Sequence, residues 1–379
     1  MFVTHGERDS MEKKRFAIVG CGNIAKKHVS AIQEHLDHAE IVAFCDVNYE
    51  RAQEFAKHNN AHAFTNITDM MQTMRKDIDI VNVLTPSGLH TSNVLELVEY
   101  KKPLVVEKPI ALRLEEADRI IRACDAHSVK IFVVHQNRYN TPIVKAHEAL
   151  EQGRFGKLVM GTVRLRWKRD QAYYDSADWR GTWAYDGGVF MNQASHHIDM
   201  LTWFMGDVES VSAVGVTRLV DIECEDTGAA MLRFTSGAIG IIEATTATRP
   251  KDLEGSISIL GEKGSVVIGG FFMNELTTWE FEKKQPIDDI IFEIGARNPD
   301  DWSYNHGEYL KDVIKSVESN RAGLVDGLEG RKSLELVSAI YESIETGREI
   351  TLRFSPRRCK LGINGTTIVP SIREKSFVA

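Results

Sequence analysis

The first third of the chain alternates short apolar runs with segments in which apolar residues recur at helical spacing. The strand-like runs are RFAIVG, AEIVAFCDV, DIDIVNVLT, PLVVEK and KIFVVH, and the segments between them include AKKHVSAIQEH, RAQEFAKHN, HTSNVLELVEY and EEADRIIRACDAH. Strands that alternate with helices in this way are typical of a parallel sheet with crossover connections. The pattern therefore predicts an α/β domain over residues 11–136.

From about residue 137 the pattern changes to long strands with alternating apolar and polar positions. The helical segment PIVKAHEALEQG precedes LVMGTVRLRW, VESVSAVGVTR, DTGAAMLRFTSGAIGIIEATTA and SISILGEKGSVVIGG, and the helical segments HGEYLKDVIKSVESN and GLEGRKSLELVSAIYESIETG follow. Short glycine turns between such strands are typical of antiparallel pairs with one buried face. We expect an α+β domain with a large, open, mostly antiparallel sheet over 137–355 and an irregular tail over 356–379.

Few helices follow the second sheet, so one of its faces is expected to lack a cover. Met231, Ile239 and Ile241 would expose apolar surface there if the face were unpaired. Contact between copies of the chain would bury these side chains. The pattern therefore predicts a homo-oligomer.

Composition and charge exclude several classes of protein. The 379 residues are 43% apolar and 26% charged, which is typical of a globular chain of about two domains. A net charge of −8 argues against non-specific binding to nucleic acid or to acidic membranes. No apolar run approaches the length of a membrane span, and the amino terminus has no hydrophobic signal core. Five cysteines without paired spacing indicate reduced thiols, and we expect a cytoplasmic protein without a metal site.

A glycine-rich turn follows the first predicted strand directly and opens the first helix. It begins with Gly20 for the tight turn, and Gly22 lets the backbone approach a pyrophosphate. Ala25 then permits close contact between helix and sheet. Asp46 ends the next strand, where a carboxylate binds ribose hydroxyls and repels a 2′-phosphate. The spacing predicts that Gly20, Gly22, Asn23, Ile24, Ala25 and Asp46 bind NAD in preference to NADP.

Two further strands end in polar residues at the same sheet edge. Thr85, Pro86 and His90 follow one strand, and Glu107 and Lys108 close the next. Ligands of parallel sheets bind at this carboxyl edge, which favours contact with the cofactor. His90 as a helix-start residue, and Lys108 as an ordinary strand-end charge, remain alternatives.

The chain resembles the Gfo/Idh/MocA oxidoreductases over roughly residues 16–353. The resemblance rests on GCGNIA, Asp46, TPSGLH, VVEKPIA and the segment 179–199. It implies a Rossmann dinucleotide-binding domain followed by a domain with a large open sheet, commonly assembled into tetramers. It also implies that a lysine from EKP, here Lys108, and a histidine from the second domain flank the nicotinamide, with Trp179 and Arg180 near the cofactor. Arg180 as a surface ion pair is an equal alternative.

Within the family, the run WKRDQAYYDSADWRGTWAYDGGVFMNQASHHIDML and the segment HQNRYN resemble the enzymes that oxidise UDP-N-acetylglucosaminuronate at its third carbon for bacterial surface polysaccharide. The resemblance implies a 3-keto product and reoxidation of NADH by a 2-oxoacid such as 2-oxoglutarate. Another sugar or polyol dehydrogenase of the family, such as an inositol-type enzyme, is the alternative. A non-catalytic NAD-binding regulator is a third reading, which needs neither Lys108 nor a site histidine.

The segment MNQASHHID contains two adjacent candidate histidines. If it forms one helix, at about 100° per residue, His196 shares a face with Asn192 and His197 lies among apolar residues such as Phe190 and Leu201. We therefore expect His196 to act at the site and His197 to be a core residue with satisfied polar atoms. Many family members carry aspartate at the position of Asn192, and a neutral amide orients an imidazole without lending it charge.

Oxidation of a secondary alcohol needs a base, and a cation near the oxygen stabilises developing negative charge. Lys108 and His196 are the predicted catalytic residues, with the division of labour between them left open. An acidic substrate favours cations on the second sheet, although a solvated face is the simpler reading of Arg166 and Lys168. The predicted substrate-binding residues are Lys108, Arg138, Tyr139, Arg166, Lys168, Asn192, Ser195 and His196.

Overall fold

The amino-terminal part of the chain forms a six-stranded parallel sheet. The computed structural model describes residues 13–271, 273–295 and 303–352, so the tail expected over 356–379 lies outside the described residues. The strand order is β3-β2-β1-β4-β5-β6. The strands are β1 (Lys14–Val19), β2 (Ala39–Cys45), β3 (His62–Phe64), β4 (Ile80–Val83), β5 (Leu104–Val106) and β6 (Ile131–Val133).

Helices cover both faces of this sheet because alternate strand residues are apolar on each side. Phe16 and Ile18 pack toward one layer of helices, and Ala17 and Val19 pack toward the other. Two elements of this amino-terminal part were not predicted, β3 and α3, since runs this short carry little periodicity. The helices are α1 (Asn23–His35), α2 (Tyr49–Asn59), α3 (Ile67–Met74), α4 (His90–Leu97) and α5 (Leu114–His127).

The second sheet has eight strands in the order β13-β12-β11-β7-β10-β9-β8-β14. Its neighbours are antiparallel except for β7 and β10, which run parallel. A parallel sheet followed by a mostly antiparallel one confirms the predicted fold class. The strands are β7 (Leu158–Arg166), β8 (Val208–Val216), β9 (Thr227–Phe234), β10 (Ile239–Thr245), β11 (Glu254–Gly261), β12 (Gly264–Gly269), β13 (Glu275–Phe281) and β14 (Ile350–Thr351).

Two of the later helices pack against the first sheet. Tyr309 and Leu310 join the core of Phe16 and Ile18, and a Cβ at Gly307 would lie 2.5 Å from the Cβ of His35. The chain therefore returns to the cofactor-binding part after completing the second sheet. The helices of this region are α6 (Thr141–Glu151), α7 (Gln171–Tyr174), α8 (Ser195–Met205), α9 (Ile291–Gly295), α10 (Tyr304–Glu318) and α11 (Gly327–Thr346).

The two faces of the second sheet differ in what covers them. On the inner face, Val163 and Leu165 are buried, and a Cβ at Gly161 would lie 2.7 Å from Leu201 and Met205 of α8. The inner face therefore carries the helix that bears both candidate histidines. On the outer face, Met231, Ile239 and Ile241 are 57%, 48% and 36% exposed.

Free cysteines and the lengths of the helices bear on the predicted location. Cys21, Cys45, Cys124 and Cys224 are free and buried, and Cys359 lies outside the described residues. No helix within the described ranges is long and apolar enough to span a bilayer. The cytoplasmic location stays a prediction.

Candidate active site

A cavity of about 1400 Å³ lies at the carboxyl edge of the parallel sheet. The ends of β1, β2, β4 and β5 form one wall, and the segment between α7 and α8 forms the other. The sequence predicted that the strand ends lie at one edge of the sheet, but it did not predict that the segment between α7 and α8 would lie opposite them. The predicted residues that line the cavity are Gly20, Gly22, Asn23, Ile24, Asp46, Thr85, Pro86, Glu107, Lys108, Trp179, Arg180 and Asn192.

The glycine turn has the geometry that a dinucleotide requires. Gly20 has a φ of +98°, and a Cβ there would lie 2.7 Å from the backbone of Leu84, so both its conformation and its surroundings demand glycine. Gly22 precedes α1, and the space beside its Cα is open. The Asp46 carboxylate accepts the Cys21 N–H at 2.8 Å and the Asn48 N–H at 2.8 Å, which fixes it at the cavity wall. These residues fit NAD, with the diphosphate at the start of α1.

Two predicted cofactor ligands have supporting positions instead. Ala25 is fully buried, where it permits close contact of α1 with the sheet. His90 is also buried, and its ring nitrogens lie 2.8 Å from the carbonyl of Pro109 and 2.9 Å from that of Thr85. Because a main-chain oxygen lies beside each ring nitrogen, the His90 ring is directed at the backbone of Pro109 and Thr85, and the prediction of direct cofactor contact is corrected.

Lys108 reaches across the cavity to the second half of the chain. Its Nζ donates to the backbone oxygen of Asn192 at 2.7 Å and lies 3.4 Å from the side-chain oxygen of the same residue. Burial lowers the pKa of Lys108, and the carboxylates of Glu107 and Asp186 oppose that shift. The ammonium group is therefore held between the two sheets.

A buried cluster supports the strand end that carries Lys108. Glu107 accepts the Lys108 N–H at 3.1 Å and lies 3.0 Å from Nε2 of His28. The His28 ring holds the pKa of Glu107 at about 2 against the opposing effect of burial. His306 completes a group whose potential ligand atoms lie within 4.8 Å of one another. The sequence analysis did not foresee this group, and we assign it a supporting role because His28 and Glu107 already bind each other.

The segment before the two histidines is not one regular helix. Residues 189–193 form a π-helical turn, Ala194 interrupts it, and α8 begins at Ser195. The predicted helical wheel therefore does not extend across this break, and Asn192 reaches Lys108 through the π-turn. Ser195 is buried and donates to the Asn192 carbonyl at 3.0 Å. It stabilises the turn, so the prediction of substrate contact through Ser195 is corrected.

The two histidines lie in different surroundings. His196 is partly exposed, and its Nε2 lies 3.3 Å from Nε2 of Gln136. Burial and the nearby Lys108 ammonium lower the pKa of His196 well below its usual range, so its ring is neutral at neutral pH. His197 is fully buried edge-on to Trp167. It is a core residue as expected, but neither of its ring nitrogens has a hydrogen-bond partner among the described residues, so the expectation of satisfied polar atoms is corrected.

The unpaired His197 ring makes stability sensitive to acid. Burial lowers the pKa of His197 to about 4, against about 6.5 in the unfolded chain. Stability from this residue is therefore complete above pH 6.5 and is lost as the pH falls toward 4, by about 2 kcal/mol between pH 7 and pH 5. We expect His197→Asn to reduce the acid loss of unfolding free energy by that amount, as measured by urea titration. The exposed His62→Asn serves as control, and equal acid sensitivity of wild type and His197→Asn would contradict the prediction.

Two predicted substrate ligands instead join helices of the core. Arg138 is 2% exposed and donates to both carboxylate oxygens of Asp199 at 2.8 and 2.7 Å and to Glu329 at 3.1 Å. The Tyr139 hydroxyl donates to Asp312 at 2.9 Å. Since these polar groups are occupied by buried or half-buried carboxylates, the prediction that Arg138 and Tyr139 bind substrate is corrected.

The cations predicted on the second sheet lie away from the cavity. Arg166 belongs to the outer face, where it contacts Glu243 at 2.6 Å and Glu254 at 3.2 Å. Lys168 pairs with Asp170 at 3.2 Å. Side chains alternate along β7, and those on one side of the strand are buried under α8. Arg166 therefore lies on the other side, at the outer face. Arg166 and Lys168 therefore pair with carboxylates away from the cavity, and their assignment to substrate is corrected.

Three residues near the cavity were missed by the sequence analysis. Tyr173 accepts a hydrogen bond from Arg180 at 2.7 Å and thereby fixes that cation at the cavity wall. Gln136 contacts His196, and Asp186 lines the cavity beside Asn192. Asp186 precedes the glycine pair of the YDGG segment. This position beside two glycines was the one local feature that could have marked Asp186 as a site residue.

Sequence profiles assign the chain to a family. A profile described as "Oxidoreductase family, NAD-binding Rossmann fold" matches residues 14–135, and one described as "Oxidoreductase family, C-terminal alpha/beta domain" matches residues 147–352. The chain belongs to the Gfo/Idh/MocA oxidoreductase family. The predictions of the family, of NAD as the cofactor and of a dehydrogenase are confirmed.

Individual members of the Gfo/Idh/MocA family show two degrees of similarity to the chain. The WlbA dehydrogenase from Bordetella pertussis, solved with NADH and UDP-GlcNAcA, is 44% identical, with 91% of this chain and 99% of that chain covered and a TM-score of 0.87. The Chromobacterium violaceum WlbA complex with the same ligands is 41% identical over 95% and 100%, with a TM-score of 0.84. Myo-inositol 2-dehydrogenase from Thermotoga maritima is 27% identical over 89% of this chain and 98% of its own length.

Proposed function

We propose that this protein oxidises the third-carbon hydroxyl of UDP-N-acetylglucosaminuronate to the 3-keto sugar, with NAD as the oxidant, for the synthesis of diacetamido-uronic acids of surface polysaccharide. The observation that supports the proposal is the similarity to WlbA proteins solved with NADH and UDP-GlcNAcA, at 41–44% identity over more than nine-tenths of the chain. The more distant curated relatives include inositol dehydrogenases.

Lys108 at the cavity wall, and His196 close enough for the Lys108 charge to lower its pKa, can supply what this oxidation requires. NAD held at the glycine turn and Asp46 would supply the hydride acceptor. A neutral His196 can take the hydroxyl proton, because its depressed pKa leaves the ring unprotonated at neutral pH. The Lys108 ammonium can stabilise the negative charge that develops on the same oxygen.

Charge at the cavity is compatible with an anionic nucleotide sugar. Lys27, Lys108 and Arg180 line the cavity, although the chain as a whole is acidic. A diphosphate and a carboxylate would pair with such cations by charge-assisted hydrogen bonds. A cation left unpaired in a closed cleft costs about 1–3 kcal/mol or more, so a sugar without the carboxylate should be a poor substrate.

Mass spectrometry of ketone formation tests the proposal. UDP-N-acetylglucosaminuronate and UDP-N-acetylglucosamine are incubated with protein and NAD, each with and without 2-oxoglutarate. We expect the keto product from the uronate alone, with more turnovers when 2-oxoglutarate reoxidises the cofactor. Equal rates on the two sugars would refute carboxylate recognition.

An inositol-type polyol dehydrogenase is the second candidate. The observation that favours it is the 27% identity to the Thermotoga maritima myo-inositol 2-dehydrogenase. Lys108 and His196 would serve a free polyol by the same proton chemistry. Activity on free polyols but on neither nucleotide sugar would move the assignment to this candidate.

We also propose that the outer face of the second sheet joins copies of the chain into a homo-oligomer, and the resemblance to the family favours a tetramer. Met231 and Ile241 lie opposite each other on β9 and β10, and Ile239 continues the apolar row. An exposed row of this kind is typical of an interface. We expect light scattering at micromolar concentration to give the mass of an oligomer and Met231→Glu with Ile239→Glu to reduce that mass, whereas a wild-type monomer would refute the proposal.

A further inference from the structure

Asp186 is a buried carboxylate at the cavity that none of the predicted roles includes. Its side chain is 3% exposed and lies on the segment that leads into the π-turn. One carboxylate oxygen accepts the Gly181 N–H at 2.8 Å, and the other accepts from the side-chain amide of Asn192. Asp186 therefore touches the residue that binds Lys108.

The Asn192 amide lies between a carboxylate and an ammonium group. Its Nδ2 donates to Asp186, so its Oδ1 must face the opposite way. That oxygen lies 3.4 Å from Nζ of Lys108, and the Asn192 backbone oxygen lies 2.7 Å from the same atom. Each end of the amide thus meets a group of the opposite polarity, and the orientation of the amide follows from the carboxylate.

We propose that Asp186 is a positioning residue whose carboxylate orients the Asn192 amide and thereby holds the Lys108 ammonium group at the cavity. The effect on turnover rests on the proposed function, because it requires that Lys108 act on the substrate. The effect on the position and pKa of Lys108 does not depend on the proposed function.

The pKa of Lys108 depends on a small number of surrounding charges, and Asp186 carries one of them. Glu107 and Asp186 are the carboxylates that raise the pKa of Lys108, while burial, Lys27 and Arg180 lower it. The neighbouring rings of His90, His135 and His196 have lowered pKa values because desolvation disfavours their charged forms, so they are neutral at neutral pH. These rings have no positive charge to lose near neutral pH. They therefore cannot offset the effect on the Lys108 pKa when one of the two carboxylates is removed.

The groups around Asp186 act on it in both directions. Burial raises the pKa of Asp186, whereas the Gly181 N–H, the Lys108 ammonium, Asn192 and Arg180 oppose that shift. Tyr174 and Cys224 also face Asp186, and burial raises the pKa of both, so neither adds charge near neutral pH. The Asp186 carboxylate and the Lys108 ammonium therefore support each other's ionisation.

Titration of Lys108 by NMR tests the proposal without any substrate. The full chain is labelled with 13Cε-lysine, and the Lys108 signal is assigned by its loss in Lys108→Met. We expect Asp186→Asn to lower the pKa of Lys108 by roughly one pH unit or more, because the opposite charge on the other side of the Asn192 amide is removed. Asp178→Asn, at an exposed position in the same segment, should leave the titration unchanged.

Two further variants separate the charge from the fold. Asp186→Asn combined with Asn192→Asp returns a carboxylate to the Lys108 side and should restore the pKa. Asn192→Ala keeps the carboxylate but removes the amide, and it should lower the pKa in the same direction as Asp186→Asn. If Asp186→Asn does not fold, Asn192→Ala still tests the proposal. An unchanged Lys108 titration in Asp186→Asn or in Asn192→Ala would overturn the proposal.

The pH profile of kcat/KM gives the functional counterpart. The limb that reports Lys108 should move to lower pH in Asp186→Asn and return in the double variant. A shifted lysine titration in a protein that oxidises no nucleotide sugar would refute the proposed function and leave the role of Asp186 intact. A shifted Lys108 titration with an unchanged pH profile of kcat/KM would show that Asp186 acts on Lys108 but that this action does not affect turnover.

Discussion

Lys108→Ala is expected to lower kcat on the substrate at least about a hundredfold, since a group that stabilises charge developing in the transition state contributes about 10²–10³ in rate. The Lys108 Nζ lies at the cavity with its position set by two oxygens of Asn192. Alanine removes both the charge and the hydrogen-bond donor that the proposed function assigns to the substrate hydroxyl. Steady-state kinetics measures the loss, and thermal unfolding checks that the variant is folded.

Two matched variants give that result its meaning. Lys108→Met keeps the length and packing of the side chain and should be as inactive as Lys108→Ala, because only the ammonium group matters. Lys102→Ala, in the turn before β5, should retain full turnover. Retention of more than about a tenth of kcat by Lys108→Met would show that the ammonium group does not act in the reaction.

His196→Asn is expected to reduce turnover by a similar factor, at least about a hundredfold. The Gln136 amide N–H donates toward Nε2 of His196, so that nitrogen is the unprotonated one of the neutral ring. Asparagine can preserve a polar contact with Gln136 but has no basic nitrogen. Stopped-flow measurement of NADH formation at saturating substrate isolates the chemical step from product release.

The neighbouring histidine provides the control. His197→Asn changes a fully buried ring that contacts Trp167, so its effect should fall on unfolding free energy while turnover per folded molecule is retained. An inactive His197→Asn with normal melting, beside an active His196→Asn, would reverse the assignment of the two residues.

Local patterns determined the chemistry at the sheet edge. A strand followed by a glycine turn and a helix depends on residues adjacent in sequence, and Gly20 needs its positive φ wherever the chain goes next. For the same reason the ends of the strands predicted that Asp46, Thr85 and Lys108 line one cavity. Parallel strands place their carboxyl ends on one side, so periodicity was enough to bring these residues together.

Alternation within β7 was also readable, but the side of the sheet that α8 covers was not. Arg166 therefore had two possible environments, and only the packing of Val163 and Leu165 under α8 placed it on the outer face. Arg138 likewise looked available for substrate until Asp199 and Glu329 were found to enclose it. Burial of a charge depends on partners distant in sequence, which no local pattern specifies.

The sequence by itself thus determined the cofactor turn and most of the order of elements, because these depend on neighbouring residues and on strand direction. The candidate pair Lys108 and His196 rested on the family resemblance and stays a prediction. Only the tertiary structure decided that Asp186 acts on Lys108 through Asn192. The π-turn that makes this contact breaks the regular helical spacing on which the sequence argument relied. Lys108 and Asn192 are 84 positions apart, and they meet because the second sheet and its helices fold back over the edge of the first.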